Sequence, residues 1–322
     1  MAAYRVGSVG PEVLRLQTRL AQLGFYAGPL DSQFGGGTDA AVRAFQTAEG
    51  LAADGVVGAN TWAALFPEGK VPKPVIASAP LAERCLAITG SFETNEPPPE
   101  CFAGLSGDFD GMGISFGVCQ WNLGSQTLQP LLLDLAAAAG PVVRAIFGDR
   151  YPVLQAVLKA PLEEQLQWAR AIQTPKLALV EPWHGYFRAL GRTPECEEAQ
   201  RRAADTLFKR ALSDCAAFGV VSERAAALLF DIYVQNGGFA QTTRAAIMAA
   251  LAGLPRTTGW KLGEVERLKV IANLRADASK PQWQADVRHR KLTIAEGSGV
   301  VHGRQYDLEA DYGIRLAILR TA

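Results

Sequence analysis

Apolar residues in the first 67 positions recur at the three- and four-residue spacing that places side chains on one face of a helix. The spacing predicts three short amphipathic helices, the first of which ends at Gly24. This part of the chain should therefore be almost wholly helical. The first helix is indicated by Val13, Leu16, Gln17, Leu20 and Leu23. The second covers Thr38 to Gln46, with Ala41, Val42 and Phe45 facing inward, and the third covers Thr61 to Phe66.

Two copies of a repeated sequence motif lead into the second and third of these helices. Asp31 to Thr38 and Asp54 to Thr61 both read Asp, two residues, an apolar residue, Gly, two residues, Thr. The Gly of each copy permits a tight turn, and the Thr can cap the helix that follows. The duplication predicts two equivalent helix-entry units on one small module.

This module resembles the three-helix peptidoglycan-binding domain that bacterial cell-wall hydrolases carry. The resemblance covers about Tyr4 to Pro67 and implies that the protein works on the bacterial cell wall, with peptidoglycan as its partner. The residues that carry it are the two repeats together with Gly10, Val13, Leu16, Gln17, Leu20, the segment Leu23 to Tyr26 and the segment Ala44 to Gln46.

A proline-rich stretch separates the module from a longer, mostly helical region. Residues 68–80 predict an extended linker, and residues 81–322 predict a larger domain. Its first helix covers Leu81 to Ile88 and gives way at Gly90, and the segment Asn95 to Gly117 is too rich in Pro and Gly to be a regular helix. Active sites concentrate in such irregular segments. Further helices are predicted at Pro161 to Ile172, Glu195 to Phe218 (either continuous or broken), Ser222 to Gln235, Thr242 to Leu251 and Gly263 to Asp277.

The composition argues against several classes of protein. The 322 residues include 32 basic and 32 acidic side chains, so the formal net charge is zero, whereas nucleic-acid binders usually carry a basic excess. No apolar run approaches the roughly 20 residues of a membrane span, and residues 1–5 do not open a secretory signal. We therefore expect a monomer that neither binds nucleic acid nor inserts into membranes.

Cysteine and histidine usage predicts neither a disulfide framework nor a metal site. The five cysteines are odd in number, lack CxxC spacing and should be buried as small hydrophobic residues. The three histidines, His184, His289 and His302, lie far apart without the spacing of zinc ligands. A metal-dependent amidase is thus disfavoured, and no cofactor is expected.

Hydrolysis of a glycosidic bond needs a carboxylic acid that protonates the leaving oxygen and usually a second carboxylate across the sugar. Glu93 follows Ile88 and Phe92 where a helix ends, and an apolar setting would help it to keep its proton near neutrality. The irregular segment that follows offers Asp108 and Asp110. On a strand these two positions would share one face, so the spacing leaves both open as the second acid.

The segment from Ile88 to Asn122 resembles the lysozyme-like superfamily and, within it, the inverting chitosanases. The resemblance lies in a Glu at a helix end and in the sequence Asp-Gly-Met-Gly-Ile-Ser at 110–115, where that family has Asp-Gly-x-Gly-aromatic-Thr. It implies that Glu93 is the general acid, that Asp110 is the base and that Ser115 holds the attacking water. The chain departs from the family at two positions of this motif, where Ile replaces the aromatic residue and Ser replaces Thr, and in an insertion at residues 95–104.

Further side chains are candidate sugar contacts. Gly117 to Gln120 is similar to a stretch of goose-type lysozymes and lytic transglycosylases in which the Gln contacts sugar. The indole of Trp121 could stack on a pyranose, although a Trp in an apolar stretch also fits a core. Asn236 precedes two glycines and could equally end a helix. The candidate substrate-binding residues are Asp108, Gln120, Trp121, Asn122, Tyr233 and Asn236.

These features predict a mainly α protein with a three-helix binding domain (4–67), a linker (68–80) and a larger α+β lysozyme-like domain with one β-hairpin (81–322). The predicted function is a peptidoglycan hydrolase of the muramidase or endolysin type that cuts the β-1,4 glycan. Three alternatives stay open: a lytic transglycosylase that uses Glu93 alone, a chitosanase whose exposed acids hold cationic sugars, and a non-enzymatic protein that adheres to peptidoglycan. We expect synthesis in the cytoplasm without a signal peptide, and passage to the wall through a phage holin or as a delivered effector.

Overall fold

The computed structural model of the protein describes residues 3–67, 69, 71–254 and 260–319. Within these residues the fold is mainly helical, with one three-stranded and one two-stranded sheet, which confirms the predicted mainly α class. Internal contacts divide the chain into two compact units, residues 1–85 together with 211–322, and residues 86–210. Residues 81–322 thus contribute to both units, and the boundaries drawn from the sequence stay predictions.

Three helices form the N-terminal module, as the hydrophobic pattern predicts. They are α1 (Pro11–Gln22), α2 (Gly36–Ala48) and α3 (Ala59–Leu65). Trp62 of α3 lies fully inside, and the ring of Tyr4 packs on it with the two centroids 5.8 Å apart. The buried core consists of Tyr4, Val13, Leu16, Leu20, Phe34, Ala41, Val42, Phe45, Val57, Trp62 and Leu65.

The repeated segments do not cap their helices in the predicted way. α2 and α3 begin directly after Gly35 and Gly58, whose φ values are ordinary negative ones. Thr38 and Thr61 lie inside the first turn of these helices and are buried. The predicted Thr caps are therefore wrong, and the left-handed backbone that favours glycine falls on the residue after each Asp, with φ of +63° and +72°.

A buried glutamine organises each repeat instead. Nε2 of Gln46 donates to Oδ1 of Asp54 at 2.9 Å and to Oγ1 of Thr61 at 3.1 Å. Its Oε1 accepts the N–H of Gly55 at 2.9 Å. Gln17 makes the corresponding bonds to the first copy. The Asp and the Thr of each repeat are thus the partners of a buried amide, which satisfies polar groups that would otherwise be left unpaired in the core.

The helix α4 (Leu81–Thr94) is longer than the sequence predicts. Gly90 lies inside it, and a Cβ there would collide with Val118 and come within 3.2 Å of Sγ of Cys101. Glycine at this position allows close packing rather than interrupting the helix, so the predicted break at Gly90 is wrong, whereas the prediction that a helix ends at Glu93 is confirmed to within one residue. The elements that follow are β1 (Leu105–Ser106), β2 (Ser115–Phe116), β3 (Trp121–Asn122), α5 (Leu128–Ala138), α6 (Gly140–Phe147), α7 (Tyr151–Lys159), α8 (Leu162–Ala171), α9 (Trp183–Gly191) and α10 (Pro194–Phe218).

Four longer helices, a hairpin and a short helix complete the described chain. The helices predicted between residues 161 and 277 are confirmed to within a few residues, and α10 is one unbroken helix. The pattern did not indicate α5 to α7, α9 or the elements after residue 283. The remaining elements are α11 (Glu223–Asn236), α12 (Gln241–Ala252), α13 (Trp260–Asp277), α14 (Gln284–Glu296), β4 (Ser298–Val301), β5 (Arg304–Asp307) and α15 (Leu308–Tyr312), and 3-10 turns occur at Val75–Ser78, Glu100–Ala103, Gly148–Arg150 and Pro281–Trp283.

All five cysteines are buried and none forms a disulfide, which confirms their predicted role as small hydrophobic residues. Burial raises the pKa of Cys196 and of Cys215 to about 12, so these thiols stay protonated. No single helix in the described part of the chain is long and apolar enough to cross a bilayer. The bent pair Leu128–Ala138 and Gly140–Lys159 has sufficient length and apolar character only when the two segments are taken together.

Candidate active site

Glu93 occupies the last turn of α4, where the helix meets the irregular segment, and its side chain is partly exposed. The neighbouring Thr94 ends the helix. Its Oγ1 donates to the carbonyl of Gly90 at 2.8 Å and accepts the N–H of Glu96 at 3.1 Å. The chain therefore leaves the helix directly after the carboxyl group, as the sequence predicts.

Ser115 lies in the central strand of the antiparallel sheet that β1, β2 and β3 form. The register pairs Ser115 with Ser106 on one side and with Asn122 on the other. Because directly paired residues point to the same side of a sheet, these three side chains form one polar face. The opposite face is apolar and includes the buried Phe116 and Trp121. The sheet thus packs on its apolar face and leaves hydroxyl and amide groups on the other.

Close packing joins this sheet to the end of α4. A Cβ on Gly104, the residue before β1, would collide with Cγ2 of Thr94. The carbonyl of Gly104 also accepts the N–H of Gly117, directly after β2, at 2.8 Å. The structure therefore brings Glu93 and the strand of Ser115 into one region of the unit formed by residues 86–210.

Asp108 anchors the loop between β1 and β2. Its side chain is only 7% exposed; Oδ1 accepts the N–H of Gly113 at 2.7 Å, and Oδ2 accepts Nε–H of Arg170 at 2.8 Å. Partial burial raises the pKa of Asp108, but the Gly113 N–H and the Arg170 guanidinium outweigh it and hold the pKa below its ordinary value. Both carboxylate oxygens are engaged within the protein.

Asp110 has a different environment, because it is exposed at the tip of the same loop. Its Oδ1 accepts the N–H of Met112 at 3.1 Å, which fixes a local turn. Each of β1 and β2 contains two residues, so the loop begins before Asp108 and neither acid lies on a strand. The expectation that the two carboxyl groups share one strand face is therefore wrong.

Arginines from α9 and its C-terminal end neutralise the acids of the insertion at 95–104. Arg188 donates to Glu96 at 2.9 Å and to Glu100 at 3.2 Å. Arg192 also donates to Glu100, at 2.8 Å. These partners lie 88 to 92 positions apart in sequence, so no local spacing indicates them.

The polar groups of Gln120 and Asn122 are used within the protein. Oε1 of Gln120 accepts Oγ–H of Ser106 at 2.6 Å, and its Nε2 donates to a backbone carbonyl at 2.9 Å. Oδ1 of Asn122 accepts the N–H of Ser125 at 2.8 Å. Trp121 is 8% exposed and packs in the core. These contacts shape the sheet and its turn, and a role of the three residues in sugar binding stays a prediction.

Tyr233 and Asn236 belong to the other unit, on α11. The hydroxyl of Tyr233 donates to Oδ2 of Asp214 at 2.8 Å, and Arg244 forms a two-point ion pair with the same carboxylate at 2.7 and 2.8 Å. Burial raises the pKa of Tyr233, and the charge of Asp214 adds to this. Asn236 is the last residue of α11 and Gly237 follows with φ of +68°, which confirms the helix-end interpretation.

The chemistry that the site offers is that of carboxyl and hydroxyl groups. Glu96, Glu100 and Asp108 are paired with arginines, whereas Asp110 is exposed. No cluster of three or more His, Cys, Asp or Glu side chains that could hold a metal ion occurs among the described residues. Acid–base catalysis at a glycosidic bond fits this set of groups.

Residues 9–65 match the family model described as "Putative peptidoglycan binding domain". The N-terminal module is a peptidoglycan-binding domain. Spore cortex-lytic enzyme of Bacillus cereus is 37% identical over 92 residues, which cover 29% of this chain and 35% of that enzyme. The N-acetylmuramoyl-L-alanine amidase CwlM of Mycobacterium tuberculosis is 40% identical over 76 residues, or 20% of this chain and 19% of the amidase. The chain thus spans about a third of the length of the first of these relatives.

Solved chitosanase structures are similar in backbone to a larger share of the chain. One chitosanase complex has a TM-score of 0.49 and 19% sequence identity, and the match covers 73% of this chain and 99% of that one. A GH46 chitosanase of Gynuella sunshinyii with chitotetraose has a TM-score of 0.49 and 14% identity, over 71% of this chain and 97% of the chitosanase.

Proposed function

We propose that the protein is a peptidoglycan hydrolase of the lysozyme-like type that cleaves the β-1,4 glycan of the bacterial cell wall. One observation carries this proposal. A peptidoglycan-binding domain shares its chain with a unit in which Glu93 lies in the last turn of α4, next to Thr94, which packs against the residue before a sheet with one polar face, and in which the β1–β2 loop carries the exposed Asp110. The binding domain concentrates the enzyme on an insoluble substrate, so a modest affinity suffices.

In the proposed reaction Glu93 is the general acid and Asp110 the general base. Glu93 gives its proton to the glycosidic oxygen as the bond to the anomeric carbon breaks. Water attacks that carbon from the opposite side, its proton passes to Asp110, and the hydroxyl of Ser115 holds the water in place. Proton exchange with solvent then restores both carboxyl groups, and the product carries a new reducing end.

The paired acids favour a glycan that is not cationic. A chitosanase needs free carboxylates to hold glucosamine. From the sequence alone, four acids of the irregular segment could fill this role: Glu96, Glu100, Asp108 and Asp110. Three of these acids, Glu96, Glu100 and Asp108, form ion pairs with arginines. Since these pairs already balance their charge, N-acetylated wall glycan is the better substrate than chitosan.

The exposed second carboxyl favours hydrolysis over a lytic transglycosylase reaction. A transglycosylase needs Glu93 alone and forms anhydro-sugar ends without an external base. Asp110 lies at the loop tip with open access to water, which suits a base that activates water. Hydrolysis would leave reducing ends instead.

The test is digestion of purified sacculi by the full chain and by Glu93→Gln. We expect the wild type to release fragments with reducing ends, and the variant to lose at least about 100-fold in rate, a typical contribution of a general acid. Both proteins should still sediment with sacculi, because the binding domain is unchanged. Reducing-end assay, fragment mass spectrometry and co-sedimentation supply the three measurements.

Glu163→Gln is the matched control, because it removes an exposed carboxyl of the same unit at the start of α8. It should digest sacculi like the wild type. Lysis by Glu93→Gln at the wild-type rate would remove Glu93 from the mechanism. Anhydro-sugar ends in the wild-type products would establish the transglycosylase, and binding without any release of sugar would leave only adhesion.

We also propose that the protein acts as a monomer on the wall after synthesis in the cytoplasm. Five buried thiols without a disulfide are compatible with folding in a reducing compartment. Gel filtration of the full chain tests the monomer. Lysis of a host that co-expresses a holin, compared with one that does not, tests the route.

A further inference from the structure

Phe109 is the most exposed large hydrophobic side chain among the described residues, at 71%. It directly precedes Asp110 at the tip of the β1–β2 loop, and Met112 on the other side of Asp110 is 38% exposed. Single exposed hydrophobic residues are common on protein surfaces. Two of them that flank a candidate catalytic carboxyl are a more specific arrangement.

The loop that presents Phe109 is anchored at its base. A Cβ on Gly107 would collide with the carbonyl oxygen of Leu177, and the N–H of Asp108 donates to Oε1 of Gln173 at 2.9 Å. The carboxylate of Asp108 adds its ion pair with Arg170 at 2.8 Å. The ring therefore stands in water on a supported loop rather than on a loose one.

The groups beside the ring of Phe109 indicate which kind of sugar it contacts. The C–H-rich face of a pyranose and the methyl of an N-acetyl group are apolar, and an aromatic ring offers a flat, electron-rich partner to such C–H groups. Cationic sugars would instead need free carboxylates. Of the two acids beside the ring, Asp108 is paired with Arg170, and the exposed Asp110 is the base of the proposed reaction.

We propose that Phe109, assisted by Met112, is a specificity-determining contact for an N-acetylated sugar of the wall glycan next to the bond that is cleaved. The contact binds the sugar on the loop beside Asp110 and contributes equally to binding before and during the reaction. The position of the cleaved bond beside Phe109 rests on the proposed function. The binding of a sugar to the ring is inferred separately, from the exposure of Phe109.

The experiment compares the full-length wild type with Phe109→Ala and Phe109→Trp on soluble, uncrosslinked N-acetylated glycan strands. Phe109→Ala should raise KM about tenfold, equivalent to about 1.4 kcal/mol of binding, and leave kcat within about twofold because only a binding contact is lost. Phe109→Trp should restore KM. Since Phe109 is exposed, all variants should unfold at the wild-type temperature.

Val153→Ala is the matched control, because Val153 on α7 is an exposed hydrophobic residue of the same unit at 38%. It should leave KM unchanged. In a second arm, calorimetry should show that the N-acetylated hexamer of glucosamine binds the wild type more tightly than Phe109→Ala, with hexaglucosamine binding both proteins equally weakly.

The outcomes distinguish a failure of the Phe109 contact from a failure of the proposed hydrolase. A wild type that cleaves the strands while Phe109→Ala keeps the wild-type KM overturns the contact and leaves the hydrolase intact. A fall in kcat at constant KM also overturns it, since Phe109 would then only shape the loop. A wild type that cleaves nothing refutes the hydrolase, and the calorimetric difference alone then decides whether the sugar contact exists.

Discussion

At the residue scale, Gln46 shows how one buried side chain explains a repeated motif. Its amide binds the Asp, the Thr and the left-handed residue of the second repeat, and Gln17 does the same in the first. From its sequence alone, the repeat predicts a tight turn and a helix cap. In the folded module it is the set of partners that a fully buried amide requires.

Gln46→Ala should lower the free energy of unfolding by about 2–4 kcal/mol, because it removes several buried hydrogen bonds and leaves their partners unsatisfied. Gln22→Ala is the control, since Gln22 ends α1 in an exposed position. Urea unfolding followed by tryptophan fluorescence measures both. Equal stability of the two variants would contradict the role given to Gln46.

Asp231 of α11 forms the most buried charge cluster of the described residues. Its carboxylate accepts Nε–H of Arg290 at 3.0 Å and pairs with Lys291, and the three side chains are at most 2% exposed. Burial raises the pKa of Asp231, but the two cations outweigh it and lower the pKa to about 2.

Asp231→Asn should cost about 3–5 kcal/mol at pH 7, because two buried cations lose their carboxylate. A lowered folded-state pKa means that this stabilisation is present above the unfolded pKa of about 4 and is lost as the pH falls towards about 2. The difference from the wild type in urea should therefore shrink between pH 4 and pH 2. The exposed Asp277→Asn is the control and should cost about 0.5 kcal/mol or less.

At the element scale, α4 depends on a glycine in its interior. Gly90 lets the helix lie against Val118 and Cys101, and the same helix carries Glu93 one turn later. Alanine favours helices over glycine by about 1 kcal/mol, but a methyl at this position has no room. Packing therefore makes the replacement of Gly90 by Ala destabilising, whereas helix propensity alone predicts that it stabilises the protein.

Gly90→Ala should destabilise the protein by about 1–3 kcal/mol through overpacking and, under the proposed mechanism, should lower the rate of wall digestion by displacing Glu93. Gly36→Ala is the matched control, because Gly36 begins α2 with open space around its Cβ position. It should be neutral or slightly stabilising. Thermal unfolding and the reducing-end assay give the two readouts, and a stabilised Gly90→Ala would refute the packing argument.

At the scale of the whole molecule, the unit that contains the peptidoglycan-binding domain also contains the C-terminal hairpin, and the two are joined directly. Arg5 pairs with Asp311 at 2.7 Å, and Arg304 of β5 donates to the carbonyl of Gly7. Burial raises the pKa of Asp311, and Arg5 opposes this. The binding domain is therefore held by contacts as well as by the chain between residues 68 and 80.

Arg5→Gln should cost about 1–3 kcal/mol at pH 7, because the partly buried carboxylate of Asp311 loses its cation. Its folded pKa should rise further, so the cost should vanish as the pH falls below about 4, where the carboxyl is protonated in the folded and unfolded states alike. Calorimetry at pH 7 and at low pH measures this. Arg202→Gln, which removes an exposed pair with Glu198 within α10, should change nothing measurable, and an equal effect of the two variants would contradict the interpretation.

The sequence by itself determined the features that depend on neighbours a few positions apart. Helical periodicity predicted α1 to α3, α8 and α10 to α13, and a Glu before a Gly- and Pro-rich segment indicated the end of α4. The repeats, with the residues around them, identified the wall-binding domain. These signals are legible because hydrogen bonds and side-chain rows within a helix join residues three or four apart.

Only the tertiary structure decided which acids are paired and which is exposed. Asp108 and Asp110 are equivalent in the sequence, and Arg170, which lies 62 positions beyond Asp108, makes one of them an anchor and leaves the other at the tip. In the same way Arg188 of α9 and Arg192, which directly follows α9, neutralise acids of the insertion at 95–104. A charge is compensated by whatever the fold places within about 4 Å of it, and that distance does not depend on separation along the chain.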